Sequence, residues 1–162
     1  MAHAVSTRTH FTVEPGKQEI IIKSVFNAAR EMVFKMMIDR PNLPQWWGPS
    51  YLTPKVDKMD VRPGGEWRFV QTDKDGKEYA FRGVYHDVVP NERLIYTFQW
   101  EEMPGAVNLE TITLKDTGGG RTEVTDQVVF QSVEGRDGMY ESGMKEGSVE
   151  SMERFAKLVE KH

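Results

Sequence analysis

The chain has 162 residues, 38% hydrophobic and 28% charged, which suits one globular domain with a sizeable core. Twenty-five acidic against 21 basic residues leave a net charge of -4, and the basic residues are dispersed, which argues against nucleic acid or an anionic lipid surface as partner. With no cysteine, disulfides, thiolate metal sites and cysteine nucleophiles are excluded, and a cytoplasmic location is the simplest expectation.

Residues 1–17 hold no apolar run of signal-peptide or membrane length and read as an N-terminal tail before a single domain at 18–162, with no membrane partner expected. Gln18 to Phe26, carrying Ile20, Ile21 and Ile22, reads as a strand covered on both faces. Asn27 has the side chain of an N-cap, and Ala29, Met32, Val33, Met36 and Met37 follow at helical spacing until Pro41. Pro41 to Trp47 reads as a second short helical turn, ended by Gly48-Pro49.

From Tyr51 onward six strands are separated by turn chemistry at Arg62-Pro63-Gly64-Gly65, Asp73-Lys74-Asp75-Gly76, Pro90-Asn91, Met103-Pro104-Gly105 and Gly118-Gly119-Gly120, the pattern of an antiparallel meander. Over residues 137–162 the period becomes helical. Tyr140, Met144, Gly147, Ser148, Ser151, Phe155, Leu158 and Val159 share one side, and Glu146, Glu150, Glu153, Lys157 and Glu160 the other, with i,i+4 pairing at Glu150/Arg154 and Glu153/Lys157 facing solvent. Without crossover helices a parallel sheet is excluded. The expected fold is α+β, a curved antiparallel sheet of about seven strands wrapped around a long C-terminal helix, with a gap where the helix fails to cover the sheet.

Two stretches carry a family resemblance: Trp46-Trp47-Gly48-Pro49, and Asp60-Val61-Arg62-Pro63-Gly64-Gly65-Glu66-Trp67-Arg68. With Phe26-Asn27-Ala28, Val33-Phe34, Asp75-Gly76, Gly83-Val84-Tyr85 and Pro90-Asn91-Glu92-Arg93-Leu94, the chain resembles the activator-of-Hsp90-ATPase-like (AHSA-type) group of the START-like (SRPBCC, Bet v-like) superfamily, over roughly residues 18 to 160. The resemblance implies a helix-grip fold, and it spans carriers, cyclases, hormone receptors and chaperone regulators, so it implies no single activity. Where that family usually has Trp after the second glycine of the closing helix, this chain has Ser148, which implies a larger cavity end.

Strand alternation groups Trp67 with Phe69, Tyr79 with Phe81 and Tyr85, and Tyr96 with Phe98 and Trp100. These rings form either a packed core or the lining of a cavity for an apolar, ring-bearing ligand, the candidate lining being Trp46, Trp47, Trp67, Phe69, Tyr79, Phe81, Tyr96, Phe98, Trp100, Tyr140 and Met144. Gly143 and Gly147 cost a helix interior up to about 1 kcal/mol each, which either close packing or a thinned helix wall would explain.

No catalytic constellation emerges. His86 is the one histidine suited to a general base, with Tyr79 beside it as a candidate, and Glu66, Glu78, Asp87, Glu110 and Asp126 are carboxylates that alternation could turn inward. Arg68 and Arg82 either clamp an acidic substrate by bidentate pairing or, as their pattern favours, sit on the outer face. His3, His10, His86 and His162 lack metal-ligand spacing, Gly118-Gly119-Gly120 lacks the Lys-Ser/Thr of a phosphate loop, and neither metal nor cofactor is expected. The function expected is binding of a small apolar or aromatic molecule. The alternatives are a cyclase, dehydratase or hydrolase using the same cavity, or a chaperone-ATPase regulator or stress-response protein; a homodimer stays open.

Overall fold

Eight antiparallel strands form one sheet in the order β1-β2-β8-β7-β6-β5-β4-β3, in a computed structural model that describes residues 8–160. They are β1 (Thr9–Thr12), β2 (Glu19–Phe26), β3 (Thr53–Met59), β4 (Glu66–Thr72), β5 (Glu78–Val89), β6 (Arg93–Trp100), β7 (Val107–Gly118) and β8 (Arg121–Val129). The six-strand meander is present, but the sheet gains an eighth member from the presumed tail. Thr9 to Thr12 pair with Ile21 to Ser24, and the Thr9 and Ser24 hydroxyls meet at 2.9 Å. Four residues give too short an alternation to register as a strand; the neighbouring edge of β2 recruits them.

Helix α1 (Arg30–Met37) follows β2 and buries Val33, Phe34, Met36 and Met37. Its cap position is Ala29, which offers no side-chain bond, so Asn27 is not the N-cap; the Asn27 backbone N–H instead donates to the Glu160 carboxylate at 2.8 Å. The second short helix expected at 41–47 is a single 3-10 turn, Leu43–Gln45. Pro44 inside so short a segment leaves too few donors for an α-helical ladder.

The closing helix is not continuous. Helix α2 (Val133–Met139), capped by the Ser132 hydroxyl accepting from the Gly135 N–H at 3.0 Å, passes through a π-turn segment (Tyr140–Met144) into α3 (Lys145–Val159). Gly143 breaks the path at φ 97°, a left-handed conformation that explains a glycine there better than close packing does. Gly147 has ordinary helical backbone, and a Cβ at that position meets nothing within 4 Å, so close helix-to-sheet packing does not account for it.

The charged side of α3 does not simply face water. Glu150 accepts from the Ser50 N–H and hydroxyl, Arg154 donates to the Gln45 and Gly48 carbonyls, and Arg8 bonds both Glu153 and Glu160. These tertiary partners tie the helix to β1 and to the loop after the 3-10 turn, while the Arg154 charge also acts on Glu150, four residues before it. Burial raises the Glu160 carboxyl, but bonds from the Asn27 N–H and Arg8 outweigh it and hold the group below the usual carboxylate range.

Two separate apolar clusters lie under these helices. The larger centres on Phe26, Phe155, Trp46, Trp67 and Phe69, with Phe155 set edge-on to Phe26 at 5.2 Å and to Trp46 at 4.8 Å. The smaller holds Ile20, Ile22, Val128 and Phe130, against which Met139, Tyr140 and Met144 pack.

The two helix glycines should respond oppositely to alanine. Gly147→Ala adds a methyl group to open space and should raise stability by about 0.5–1 kcal/mol, whereas Gly143→Ala forces a side chain into the left-handed region and should lower it by about 1–2 kcal/mol. Urea unfolding followed by circular dichroism reads both; equal effects would contradict the break at Gly143.

Candidate functional site

On the helix-facing side of the sheet, strand alternation places Trp67 and Phe69 on β4, Phe81 and Tyr85 on β5, and Tyr96, Phe98 and Trp100 on β6. Their rings interlock: Trp47 stands edge-on to Phe69 at 5.0 Å and Phe81 at 5.6 Å, while Trp67 touches Tyr96 at 5.9 Å and Phe98 at 5.8 Å. Gly83 permits this wall. The Trp67 indole crosses β5 at that residue and donates to the Thr97 carbonyl at 3.1 Å, where a Cβ on Gly83 would lie 1.8 Å from that carbonyl. Gly48 plays a similar part at φ 81°, since a Cβ there would overlap the buried Gln71 side chain.

Burial on this side changes along the strands. Leu94, Ile112, Leu114 and Val124 are buried, whereas Tyr96, Phe98 and Trp100 further along β6, and Glu110 and Asn108 further back along β7, are only half-buried. Helix α3 follows the same gradient. Phe155, Ala156 and Val159 are buried, while Met144, Gly147 and Ser148 toward its start are half-buried. The closest backbone approaches of α3 to other parts of the fold are to α1, β1 and β2, at one side of the sheet.

Within the half-buried stretch stand two inward carboxyls. Tyr96 lies opposite Glu110, and Ile112 opposite Asp126, so Glu110 and Asp126 are diagonal neighbours on one face of β7 and β8. The Tyr96 hydroxyl donates to Glu110 at 3.1 Å. Protein surrounds both carboxyl groups, though each residue retains some accessible surface. Burial lifts Asp126 well above the usual carboxylate range, and the neighbouring Glu110 lifts it further. Burial also raises Glu110, with hydrogen bonds from Asp126 and Tyr96 offsetting part of the rise. Tyr96 is pushed well above its ordinary value by burial and then by the Glu110 charge. Enclosure therefore favours the protonated form at both members of the pair, most strongly at Asp126. Two polar atoms here have no protein partner and no accessible surface: Asp126 Oδ1 and, on the same face of β6 as Tyr96, the Trp100 indole nitrogen.

Of the candidates read from sequence, Trp46, Trp67 and Phe69 are buried core members, and Trp47, Phe81, Tyr96 and Phe98 pack against that core while half-buried. Tyr140 and Met144 belong to the other cluster. Tyr79 sits at the far end of β5, donating to Asp73 at 3.3 Å beneath the Lys77 ammonium. His86 is exposed, at a bulge where the register shifts between Tyr85 and Asp87. The extra residue turns Asp87 to the outer face, where it accepts from Arg93 at 2.7 Å, so plain alternation misplaces it. Glu66 and Glu78 are exposed, and Arg68 is engaged by Glu101 and Asp57 on the outer side. Of the five carboxylates, Glu110 and Asp126 are the two that come together. His3 and His162 lie outside the described residues, among which no three His, Asp or Glu side chains converge as a metal site would need. A surface cleft of about 380 Å³ lies elsewhere, between charged side chains of β3 and β4 including Asp57, Lys58, Arg62 and Glu66.

Comparison with known proteins bears on this geometry. A crystal structure of a Chromobacterium violaceum protein, 26% identical, superposes with a TM-score of 0.79 over 88% of this chain and 97% of that one. A solution structure of an Arthrobacter aurescens protein, 22% identical, gives 0.85 over 94% and 92%. The AHSA1 protein from Silicibacter pomeroyi, 24% identical, gives 0.73 over 89% and 99%. No curated protein matches the sequence significantly. No helix among the described residues is long and apolar enough to cross a membrane. The family model described as activator of Hsp90 ATPase homolog 1-like protein matches residues 27–160, and the chain belongs to that family.

Proposed function

We propose that this protein is a small-molecule-binding domain that holds an apolar, ring-bearing molecule between α3 and the helix-facing side of β5 to β8. The observation that carries the reading is the matched loss of burial along both walls, from Phe155 to Gly147 on the helix and from Leu94 to Trp100 on the sheet. Interlocked rings give such a space rigid apolar sides, and apolar burial at about 25 cal/mol per Å2 gives affinity without any catalytic group. Trp47, Phe81, Tyr96, Phe98 and Trp100 would supply the lining, with Met144 and Tyr140 at the far side; Trp46, Trp67 and Phe69 would support it from within the core. Tyr79 and His86 have no part in this reading. One observation favours the enzyme alternative: the enclosed Glu110–Asp126 pair has the proton-holding character of a general acid.

A panel of apolar ring compounds tests the binding reading. A true ligand at about 100 times its Kd adds about 2.7 kcal/mol, or roughly 5–10 °C in melting temperature, and quenches tryptophan fluorescence. Gly147→Leu should keep the fold and abolish that response by filling the space. A panel without any response, or a leucine variant that binds as the parent does, overturns the reading.

The carboxyl pair also sets a pH dependence. Groups held above their unfolded values bind more protons in the native state, so the unliganded protein should lose stability as pH rises above the ordinary carboxylate range. Glu150 and Glu160, held below the usual range, contribute stability that is already complete above it. Asp126→Asn should flatten the decline, read as melting temperature against pH; an unchanged slope would show that the pair does not titrate there.

A further inference from the structure

We propose that the carboxyl pair makes this site selective for ring-bearing amines: the ligand's basic nitrogen docks at Asp126 and its ring against the aromatic wall. The inference rests on the binding reading above and names the class of molecule.

Asp126 Oδ1 is enclosed with no protein N–H or hydroxyl donating to it, its carboxyl neighbour being Glu110, which already takes the Tyr96 hydroxyl. A buried acceptor without a partner is costly to the fold, and a ligand N–H or O–H arriving there relieves that cost. An ammonium does so with charge as well, forming the stronger charge-assisted bond. An anionic ligand meets two carboxyls and gains nothing from them. The rings add the same preference, because Tyr96 touches Trp67 at 5.9 Å and Tyr85 at 6.1 Å, and aromatic faces attract a desolvated cation. The Trp100 indole N–H, enclosed and without a partner further along β6, is a second group whose hydrogen bond a ligand acceptor could complete. Among the described residues, no lysine or arginine is bonded to either carboxyl of the pair, so the place of the cation is not taken by the protein.

Three molecules sharing one ring system separate the contributions: 1-naphthylmethylamine, 1-naphthylmethanol and 1-naphthoic acid, titrated calorimetrically against the full chain near neutral pH. The amine should bind at least ~10-fold tighter than the alcohol, and the acid weakest. Asp126→Asn, isosteric and free of buried charge, should fold normally and bring the amine to the affinity of the alcohol; Glu110→Gln should do the same in part. Equal binding of all three, or an amine preference that survives both substitutions, overturns the amine inference and leaves the cavity standing. Binding of none overturns both.

Discussion

Everything in this fold depends on how the closing helix meets the sheet. Phe155 drives between Phe26 and Trp46 with no exposed surface of its own, and Ala156 and Val159 seal the same end. Ser151 fixes the helix to the loop by donating to the Trp46 carbonyl at 2.6 Å. A straight rod laid on a twisted surface can be in close contact along only part of its length, and burial along α3 is accordingly complete at the seated end and partial at the other. Met144, Gly147 and Ser148 occupy that other end, and there the inward side of the sheet changes from aliphatic to aromatic and acidic.

The fold was largely legible because its signals are local. Glycine- and proline-bearing turns mark the meander, and β3 to β8 follow them. What escaped the sequence depends on tertiary context. Strand β1 exists because β2 has an edge to satisfy, not because Thr9 to Thr12 carry a pattern. The helix break at Gly143 was indistinguishable from a costly helical glycine until its positive φ was seen. At the site, the aromatic residues were readable as a set, but which face they shared depended on the register, and their division into buried and half-buried depends on how α3 lies against the sheet. Glu110 and Asp126 could be placed only among five inward candidates, since the bulge at His86 reverses Asp87 and since diagonal adjacency across β7 and β8 is a property of pairing, not of spacing.

Two devices keep the acidic pair from collapsing this region. The aromatic wall is held by polar links through its own strands: the Trp67 indole to Thr97, and the Thr97 hydroxyl to the Val84 N–H at 2.9 Å. The Tyr96 hydroxyl holds Glu110, and Glu110 stands diagonally beside Asp126 across β7 and β8. Each link satisfies one partner and leaves less freedom for the next, which is how a buried polar network specifies one arrangement. The network nevertheless stops short at Asp126 Oδ1 and at the Trp100 nitrogen. Replacing the pair with apolar side chains of similar size would remove the part of that cost that falls on Asp126, because a buried ionisable group rarely improves stability over a hydrophobic one. An unpaired indole nitrogen is not peculiar to this region, since Trp46, packed edge-on to Phe155 at the firm end, has one too; what sets the region apart is the enclosed acceptor on Asp126, which the seating of Phe155 does without.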